Sequence, residues 1–551
     1  MFSLIFSSWL PNSPNLIYFI VVDRFENGSV DNDYHVTEDL NDLQGFHGGD
    51  LQGIEAKLPY IQSLGADAIW LSPIFEMRTE KFHGHGAFHG YWVQNLERIE
   101  PSFGGEIALK SLSTTMQQQD IKLILDMVYN HVSFDSNMRN IHPDWFHLYP
   151  SISDWNDPIQ LTHFQVHGLP DLNQNHPDVY DYLLHQSRYW IDFTDAYGLR
   201  IDAIRHMEND FLYRIHQDLP NAWFLGEDFQ GNPTDLIQRG QETGFEALFD
   251  FPFYYAITET FCDDSNIQQL ASILSLQSAF EQTSLVRFLD NHDLPRILSR
   301  CNNDPNKVNS ALFFLLSSTG IPMLTYGTES GLQGDSEPEN RSTMNWDHID
   351  AHQIQLIQTM TSLRKKHPVM RDGISKIIDI DEQWMVVLSD LNQIAYQSEH
   401  VLQFVNLSTQ PHDVSALLTQ YCPHFKEGWQ WNGQLHHLQS QALQIPAQSQ
   451  QTWICSKYSQ KEQMVTIQFS MSGTVHSQWF LVGSSPDFGG WHTENAVPLK
   501  YQNGIWTATL QLPAYQVHSY KILEYTHNEW HWENGDNRFL WTNTDKSISL
   551  R

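Results

Sequence analysis

The chain has 551 residues, too many for one hydrophobic core, so about three or four packed units are expected. A hydrophobic content of 41% and a charged content of 17% exclude a disordered polymer. A formal net charge of −34 excludes phosphate backbones and anionic membranes, so neither nucleic acid nor membrane is an expected partner.

The N-terminus carries an apolar patch, Phe2 to Leu10, but no Lys or Arg precedes Arg24. It therefore lacks the basic region of a secretory signal, and a cytoplasmic location is the default expectation, with secretion by another route as the alternative. No run reaches the length of a membrane span. Leu16 to Val22 is a continuous apolar run, as in a strand buried on both faces. Ile54, Leu58, Ile61 and Leu64 recur at helical spacing, Gly65 ends that helix, and Asp67 to Leu71 follows as a strand. Ile107, Leu112 and Met116 mark a helix before the strand Lys122 to Asp126. Val179, Leu183, Trp190 and Phe193 mark one before the short strand that opens at Gly198. Phe211, Leu212 and Ile215 precede Ala222 to Glu227, and further strands are Ala247 to Phe251, Leu285 to Leu289 and Pro322 to Tyr326. Val308 to Leu316 is a helix before the last of these, and another follows Trp346.

Strand–helix alternation of this kind predicts an α/β fold with a parallel sheet, and eight units predict a closed (β/α)₈ TIM barrel. The barrel is expected over residues 1–374. Roughly 65 residues separate His131 from Gly198, too many for a simple loop, so 132–178 is read as a small inserted domain. After about residue 375 the texture changes to short alternating runs such as Met385 to Leu388, Ile394 to Tyr396 and Val401 to Val405. These predict a β-sandwich over 375–457. A polar stretch, 458–463, reads as a linker to a second all-β sandwich over 464–551, which holds Trp479, Trp491, Trp506, Trp530, Trp532 and Trp541. The four cysteines, Cys262, Cys301, Cys422 and Cys455, are widely spaced without a CxxC. They are expected to be buried thiols, with a Cys422–Cys455 pair as the alternative.

Four strand ends carry unusual polar residues: Asp126 to His131, Arg200-Ile-Asp202 continuing to Arg205 and His206, Gly226-Glu227, and Asp290 to Asp293. In a parallel barrel such ends converge on one face. Asp202, Glu227 and Asp293 would then surround one small volume with His131 and His292. Asp202 reads as a nucleophilic carboxylate clamped by Arg200, although an Arg–Asp pair is also an ordinary structural ion pair. Several carboxylates without cysteine suit glycoside hydrolysis or metal binding. Glycoside chemistry requires one protonated carboxyl and one ionised one, and crowding favours Glu227 as the protonated member. The 13% aromatic content suits sugars, whose C–H faces lie on rings.

These four motifs, in this order, resemble the signature regions of the α-amylase family, the retaining glycoside hydrolases of family 13, over nearly the whole chain. Residue by residue, the resemblance implies Asp202 as nucleophile, Glu227 as general acid/base and Asp293 as transition-state stabiliser. It implies that Arg200, His131 and His292 hold the sugar at the cleavage point, that Tyr91 in Phe88 to Trp92 stacks on it, and that His206 and Arg341 contact substrate. The branch that the sequence is most similar to is that of cyclodextrin glucanotransferases and maltogenic amylases. His167 stands where those transferases place a central aromatic, Arg205 where lysine is usual and Glu337 where aspartate is usual, departures that favour hydrolysis. The resemblance further implies Ca²⁺, held by Asn130, Asp171 and the carbonyl of His206. A second site is expected at Asn27, Asp33 and Asp50, with a solvated Asx-turn loop as the alternative. His35, His83 and His85 form no recognisable zinc set. The last unit resembles a family-20 starch-binding domain, implying Trp491 and Trp532 as a platform and Lys521 and Asn537 as hydrogen-bond partners of sugar hydroxyls. A second platform at Trp506 is not expected, because Val475 stands where its tyrosine partner is usual.

The expected function is that of a monomeric, retaining, endo-type α-1,4-glucan hydrolase acting on starch, glycogen or maltooligosaccharides through a glycosyl–aspartate intermediate. A glucanotransferase of the same fold, 4-α- or cyclodextrin-forming, is the alternative. A noncatalytic glucan-binding protein is the remote one.

Overall fold

A computed structural model describes residues 13–280, 283–391, 399–456, 463–473 and 477–550. The N-terminal apolar patch, the Ile394 to Tyr396 run, most of the expected linker and Val475 lie outside the described residues. Eight strands form a closed parallel barrel: β1 (Ile17–Ile20), β2 (Ala68–Leu71), β3 (Lys122–Met127), β4 (Gly198–Ile201), β5 (Trp223–Gly226), β6 (Ala247–Phe249), β7 (Ser284–Arg287) and β8 (Ile321–Thr325). Each pairs with the next, and β8 returns to β1 with Ile17 opposite Met323. The strands are buried almost throughout, which is why their sequences are continuous apolar runs rather than alternating ones. The predicted strands ending at Phe251 and Leu289 stop at Phe249 and Arg287: Asp250 caps the Phe251–Cys262 helix, and the residues after Arg287 lead into the Asp290 to Asp293 loop.

The predicted helices lie between the strands. Leu51–Ser63 buries Ile54, Leu58 and Ile61, and Pro177–Thr194 buries Val179, Leu183 and Trp190. One assignment fails. Ile107 sits in the Gly105–Gln118 helix but is 87% exposed, and Ala108, Leu109, Leu112 and Met116 form the inner face instead. Its spacing to Leu112 is five residues, which rotates it off the stripe.

The insert is built from short helices, Met138–Ile141 and Pro158–His163, closed onto the barrel by isolated bridges of His131 with Asp171 and Phe146 with Leu172. Beyond the barrel a six-stranded antiparallel sheet spans Ile374–Ile380 to Ser449–Ser456. It carries a helix, Ser415–Tyr421, that the sequence pattern does not predict. Two turns are too short to establish a helical period; Leu418 and Tyr421 are its buried side. The last unit pairs a four-stranded sheet with a five-stranded one around Phe469, Leu481, Phe488 and Tyr520.

This last unit is seated on the rest of the chain. Thr234 Oγ1 donates to Ser484 O at 3.0 Å, and Asn232 Nδ2 donates to Gly490 O at 3.0 Å. Val517 N donates to Ser275 Oγ at 2.9 Å, and Trp541 Nε1 donates to Ile377 O at 2.9 Å.

All four cysteines are bonded, Cys262 to Cys301 and Cys422 to Cys455. The expectation of free thiols is therefore wrong, and the alternative pair is present. Spacing in sequence conceals the first bond: the end of the Phe251–Cys262 helix lies beside the turn that precedes Pro305–Ser317.

Candidate active site

The mouth is organised by Arg200 near the end of β4, which is fully buried. Parallel register sets Arg200 opposite Asp126 of β3, so the two side chains rise together. Arg200 Nη1 donates to both oxygens of Asp126 at 2.8 and 3.0 Å and to Asp202 Oδ1 at 2.8 Å. Its Nη2 lies 2.8 Å from Glu227 Oε2, a contact of charge rather than an aligned hydrogen bond. One guanidinium thus holds three carboxyl groups, and it sits over the rings of Trp70 and Tyr91 at 4.9 and 5.6 Å. In sequence, Asp126 marks only the start of an unusual strand end. It also accepts from Trp70 Nε1 at 3.0 Å and Tyr91 O–H at 2.9 Å, which makes it the residue that fixes both the clamp and the aromatic beside it.

The ladder runs past the strands. Asp202 N donates to Met127 O and Glu227 N to Ile201 O, both at 3.1 Å, so both carboxylates are carried by ordered backbone. Ala203, between them in space, is left-handed at φ 49° and donates its N–H to Glu227 Oε2 at 3.1 Å. Asp293, with its side chain 34% exposed, reaches the same mouth from the β7 end. Its oxygens accept from Arg341 Nη2 at 3.0 Å and lie 3.2 Å from His292 Nε2. Arg341 is held by His292 O at 2.8 Å and by Glu337 at 3.1 Å, so Glu337 serves as an ion-pair partner. Tyr91 and His292 stack face to face, 4.9 Å apart and 2° from parallel. His131 Nε2 lies 3.2 Å from Tyr91 O.

Electrostatics separate the carboxyls. Burial pushes Glu227 up to about 8; Arg200 opposes this, while Asp202 and Asp293 add to it. Burial likewise raises Asp126 to about 7 against the pull of Arg200. For Asp293, burial is outweighed by His292, Arg341 and Arg200, and its carboxyl lies below the usual range. Burial drives His292 down to about 3 and also lowers His131, so both rings are neutral near pH 7. The mouth therefore offers a neutral acid, an ionised carboxylate and neutral imidazoles in one volume.

His206 lies at the edge, its Nδ1 3.0 Å from Leu161 O of the insert and its ring 5.8 Å from Trp155. His167 is left-handed at φ 52° and packs against the same Trp155 at 6.0 Å. Arg205 Nη1 donates to Phe229 O at 3.1 Å.

Among the described residues, Asn130 Oδ1 and Asp171 Oδ1 are buried without a hydrogen-bond partner. They are brought together by Leu172 N donating to Asn130 O at 2.9 Å and by the His131–Asp171 bridge. No group of three or more His, Cys, Asp or Glu gathers into a metal cluster among the described residues. Amide, carboxylate and carbonyl oxygens are hard ligands, so this first set fits Ca²⁺. The second set does not. Asp50 caps the Leu51–Ser63 helix, its oxygens accepting from Gly53 N at 2.7 Å, Gly28 N at 3.0 Å, Ser29 N at 2.9 Å and Asn32 Nδ2 at 3.2 Å. Asn27 Nδ2 donates to both oxygens of Asp33 at 3.0 and 3.1 Å. The loop is closed by its own donors, as in the Asx-turn alternative.

In the last unit Trp491 and Trp532 lie 6.4 Å apart at 35°, with Trp532 44% exposed. Lys521 Nζ donates to Glu533 O at 3.1 Å and Gly535 O at 2.6 Å, which braces the loop beside Trp532. Asn537 follows that loop and is half-buried.

A (β/α)₈ barrel with carboxyl groups gathered on an arginine at its C-terminal mouth has the form of a glycoside hydrolase. The comparisons agree. The profile described as the alpha amylase catalytic domain matches residues 19–360, and that of a starch binding domain matches 464–550. A beta/alpha-amylase of Paenibacillus polymyxa is 30% identical over 419 residues, 72% of this chain; the chain spans only 34% of that relative's length. A cyclomaltodextrin glucanotransferase of Klebsiella oxytoca is 27% identical over 586 residues, covering 90% of this chain and 87% of its own. The crystal structure of an α-amylase from Geobacillus thermoleovorans complexed with acarbose superposes with a TM-score of 0.70 at 30% identity, covering 81% of this chain and 98% of that one. The chain belongs to the α-amylase family of glycoside hydrolases, and it carries a starch-binding domain.

Proposed function

We propose that the protein is a retaining, endo-type α-1,4-glucan hydrolase of starch, glycogen or maltooligosaccharides. The observation that supports this best is the sharing of Arg200 by Asp202 and Glu227. Two carboxyls on one guanidinium lie close together, as retention requires (separations of about 5 Å), and leave no room for a water between them and the sugar. Asp202, oriented by Arg200, attacks the anomeric carbon. Neutral Glu227 delivers its proton to the leaving glycosidic oxygen and then, as carboxylate, takes a proton from the water that cleaves the glycosyl–Asp202 bond. Asp293, held ionised by Arg341, stabilises the positive charge on the ring. Neutral His131 and His292 hold sugar hydroxyls, Tyr91 carries the sugar face, and His206 and Arg341 border the chain. Ca²⁺, on Asn130, Asp171 and the carbonyl of His206, would tie the insert to the barrel. Trp491 and Trp532 form a stacking platform for starch, with Lys521 and Asn537 beside it.

A timed product analysis of soluble starch and maltoheptaose with calcium, run beside Asp202→Asn, tests the reading. Short linear oligosaccharides released as the α-anomer, absent with the variant, are expected. Cyclic products, or oligomers longer than maltoheptaose, would make the protein a glucanotransferase. Glucans bound but left intact by the unsubstituted protein would make it a binding protein.

A further inference from the structure

A cleft of about 870 Å³ lies at the seam between the barrel and the six-stranded sheet, and it shares no residue with the mouth. One wall is the end of the Phe251–Cys262 helix and the loop after it; another is the start of Pro305–Ser317; the third comes from the sheet. The walls are fixed to each other. Trp431 Nε1 donates to Ser310 Oγ at 3.1 Å, Gln450 Nε2 to Ser310 O at 2.9 Å, and Ile267 N to Glu382 O at 3.2 Å. The Cys262–Cys301 bond and the donation from Lys307 Nζ to Cys262 O at 2.8 Å tie the two helical walls together. A cleft built this way is pre-formed, and its size falls in the range of small-ligand sites.

Its chemistry selects the ligand. The lining is rich in carboxamides: Asn266, Asn306, Gln383, Asn432, Gln448 and Gln450. The charges are largely spent within the protein. Lys307 Nζ pairs with Asp264 at 2.7 Å, and Asp304 caps its helix through Asn306 N at 2.9 Å. Among the described residues, Gln450 Oε1 and Thr260 Oγ1, on two of the walls, are buried without a partner. Gln383 and Asn432 are exposed at the rim. Leu407 and the edges of the largely buried Phe261 and Trp431 supply the apolar lining between the amides. Amides that both donate and accept, alternating with apolar patches and without a free cation, suit a neutral ligand with vicinal hydroxyls and C–H faces.

We propose that this seam is a second, noncatalytic binding site for a short α-glucan segment. The identification of the hydroxylated ligand as a glucan rests on the function proposed above. Its place beside the barrel gives the chain a hold on the polymer separate from Trp491 and Trp532.

Amide hydrogen exchange on full-length Asp202→Asn, with and without maltoheptaose, tests the site. Ligand is expected to slow exchange at 407–409 and 431–433, and also at the mouth around 202–206. In the same protein carrying Gln383→Ala and Asn432→Ala, protection at the seam is expected to fall at least threefold while protection at the mouth persists. Thr409→Trp, which fills the cleft from its exposed edge, is expected to abolish seam protection. Protection of the mouth alone in the Asp202→Asn protein, or seam protection unmoved by both changes, would overturn the proposal and leave the active-site reading standing. Protection at neither place would overturn both.

Discussion

In the proposed mechanism Glu227 serves as the acid only while it keeps its proton, and burial is the force that keeps it. A carboxyl whose pKa is raised to about 8 is neutral through the range where a solvated glutamate is charged. The sign is then fixed: kcat/KM is expected to hold level near neutrality and to fall as pH rises through about 8, when the acid is lost. A pH–rate profile on maltoheptaose measures it; an alkaline limb that begins near pH 5 would remove Glu227 from the acid's role. Asp126 bears a different burden. It touches no sugar in the proposed pose but accepts twice from Arg200 and once each from Trp70 and Tyr91. Asp126→Asn replaces one of those acceptors with a donor, so Arg200 and Tyr91 both lose their aim. A fall in kcat of about 100-fold is expected, the scale of a small misplacement of catalytic groups. The thermal midpoint should fall with it, since a buried ion pair has lost one partner. Full activity in a folded Asp126→Asn protein would show that Arg200 needs no second anchor.

The elements explain how much of this could be read from the chain alone. Barrel strands announce themselves because both faces are buried, and Arg200, Asp202 and Glu227 stand out because charge follows an apolar run. The clamp of Asp126 on Arg200 is a matter of register between β3 and β4, which no single strand encodes. The same holds for the Cys262–Cys301 bond, the seam cleft and the seating of the last unit on Thr234 and Ser275, all of which join stretches far apart in sequence. The calcium assignments divide on the same ground. Asn130 and Asp171 are left unsatisfied by their surroundings, whereas Asp50 is consumed by a helix cap that its sequence position at the start of Leu51–Ser63 already offered. Gly226 is an element-scale requirement of its own. A Cβ there would meet Ile204 Cδ1 at 2.7 Å and Leu248 Cδ2 at 2.9 Å, and Ile204 belongs to the turn that follows Asp202. Gly226→Ala is expected to destabilise the barrel by about 1–3 kcal/mol and to lower kcat by pushing that turn away from Glu227. Calorimetry and steady-state rates on one preparation check both; a lower midpoint with unchanged kcat would separate the packing of Gly226 from the positioning of Asp202.

On the scale of the whole molecule, the paired cysteines bear on where the protein works. No helix among the described residues is long and apolar enough to cross a membrane, which leaves the compartment open. Two disulfides belong with an oxidising environment, where a starch-binding domain would also meet its polymer. Each bond closes a loop, 39 residues apart in the barrel and 33 in the six-stranded sheet. On the chain-entropy account each stabilises the unit it closes by about 4 kcal/mol, less any strain. The units differ in what else holds them. Cys262 and Cys301 are embedded in the main core, whereas Cys422 and Cys455 belong to a smaller cluster around Trp384, Phe404 and Trp453. Reduction is therefore expected to split the thermal transition, with the six-stranded sheet melting first and the barrel following at a higher temperature. Peptide mapping without reductant establishes the pairs, and calorimetry with and without reductant reads the split. Four free thiols in the unreduced, denatured protein would remove both bonds and with them the argument for an oxidising compartment. A single unsplit transition that shifts as a whole would mean that sheet and barrel unfold as one body.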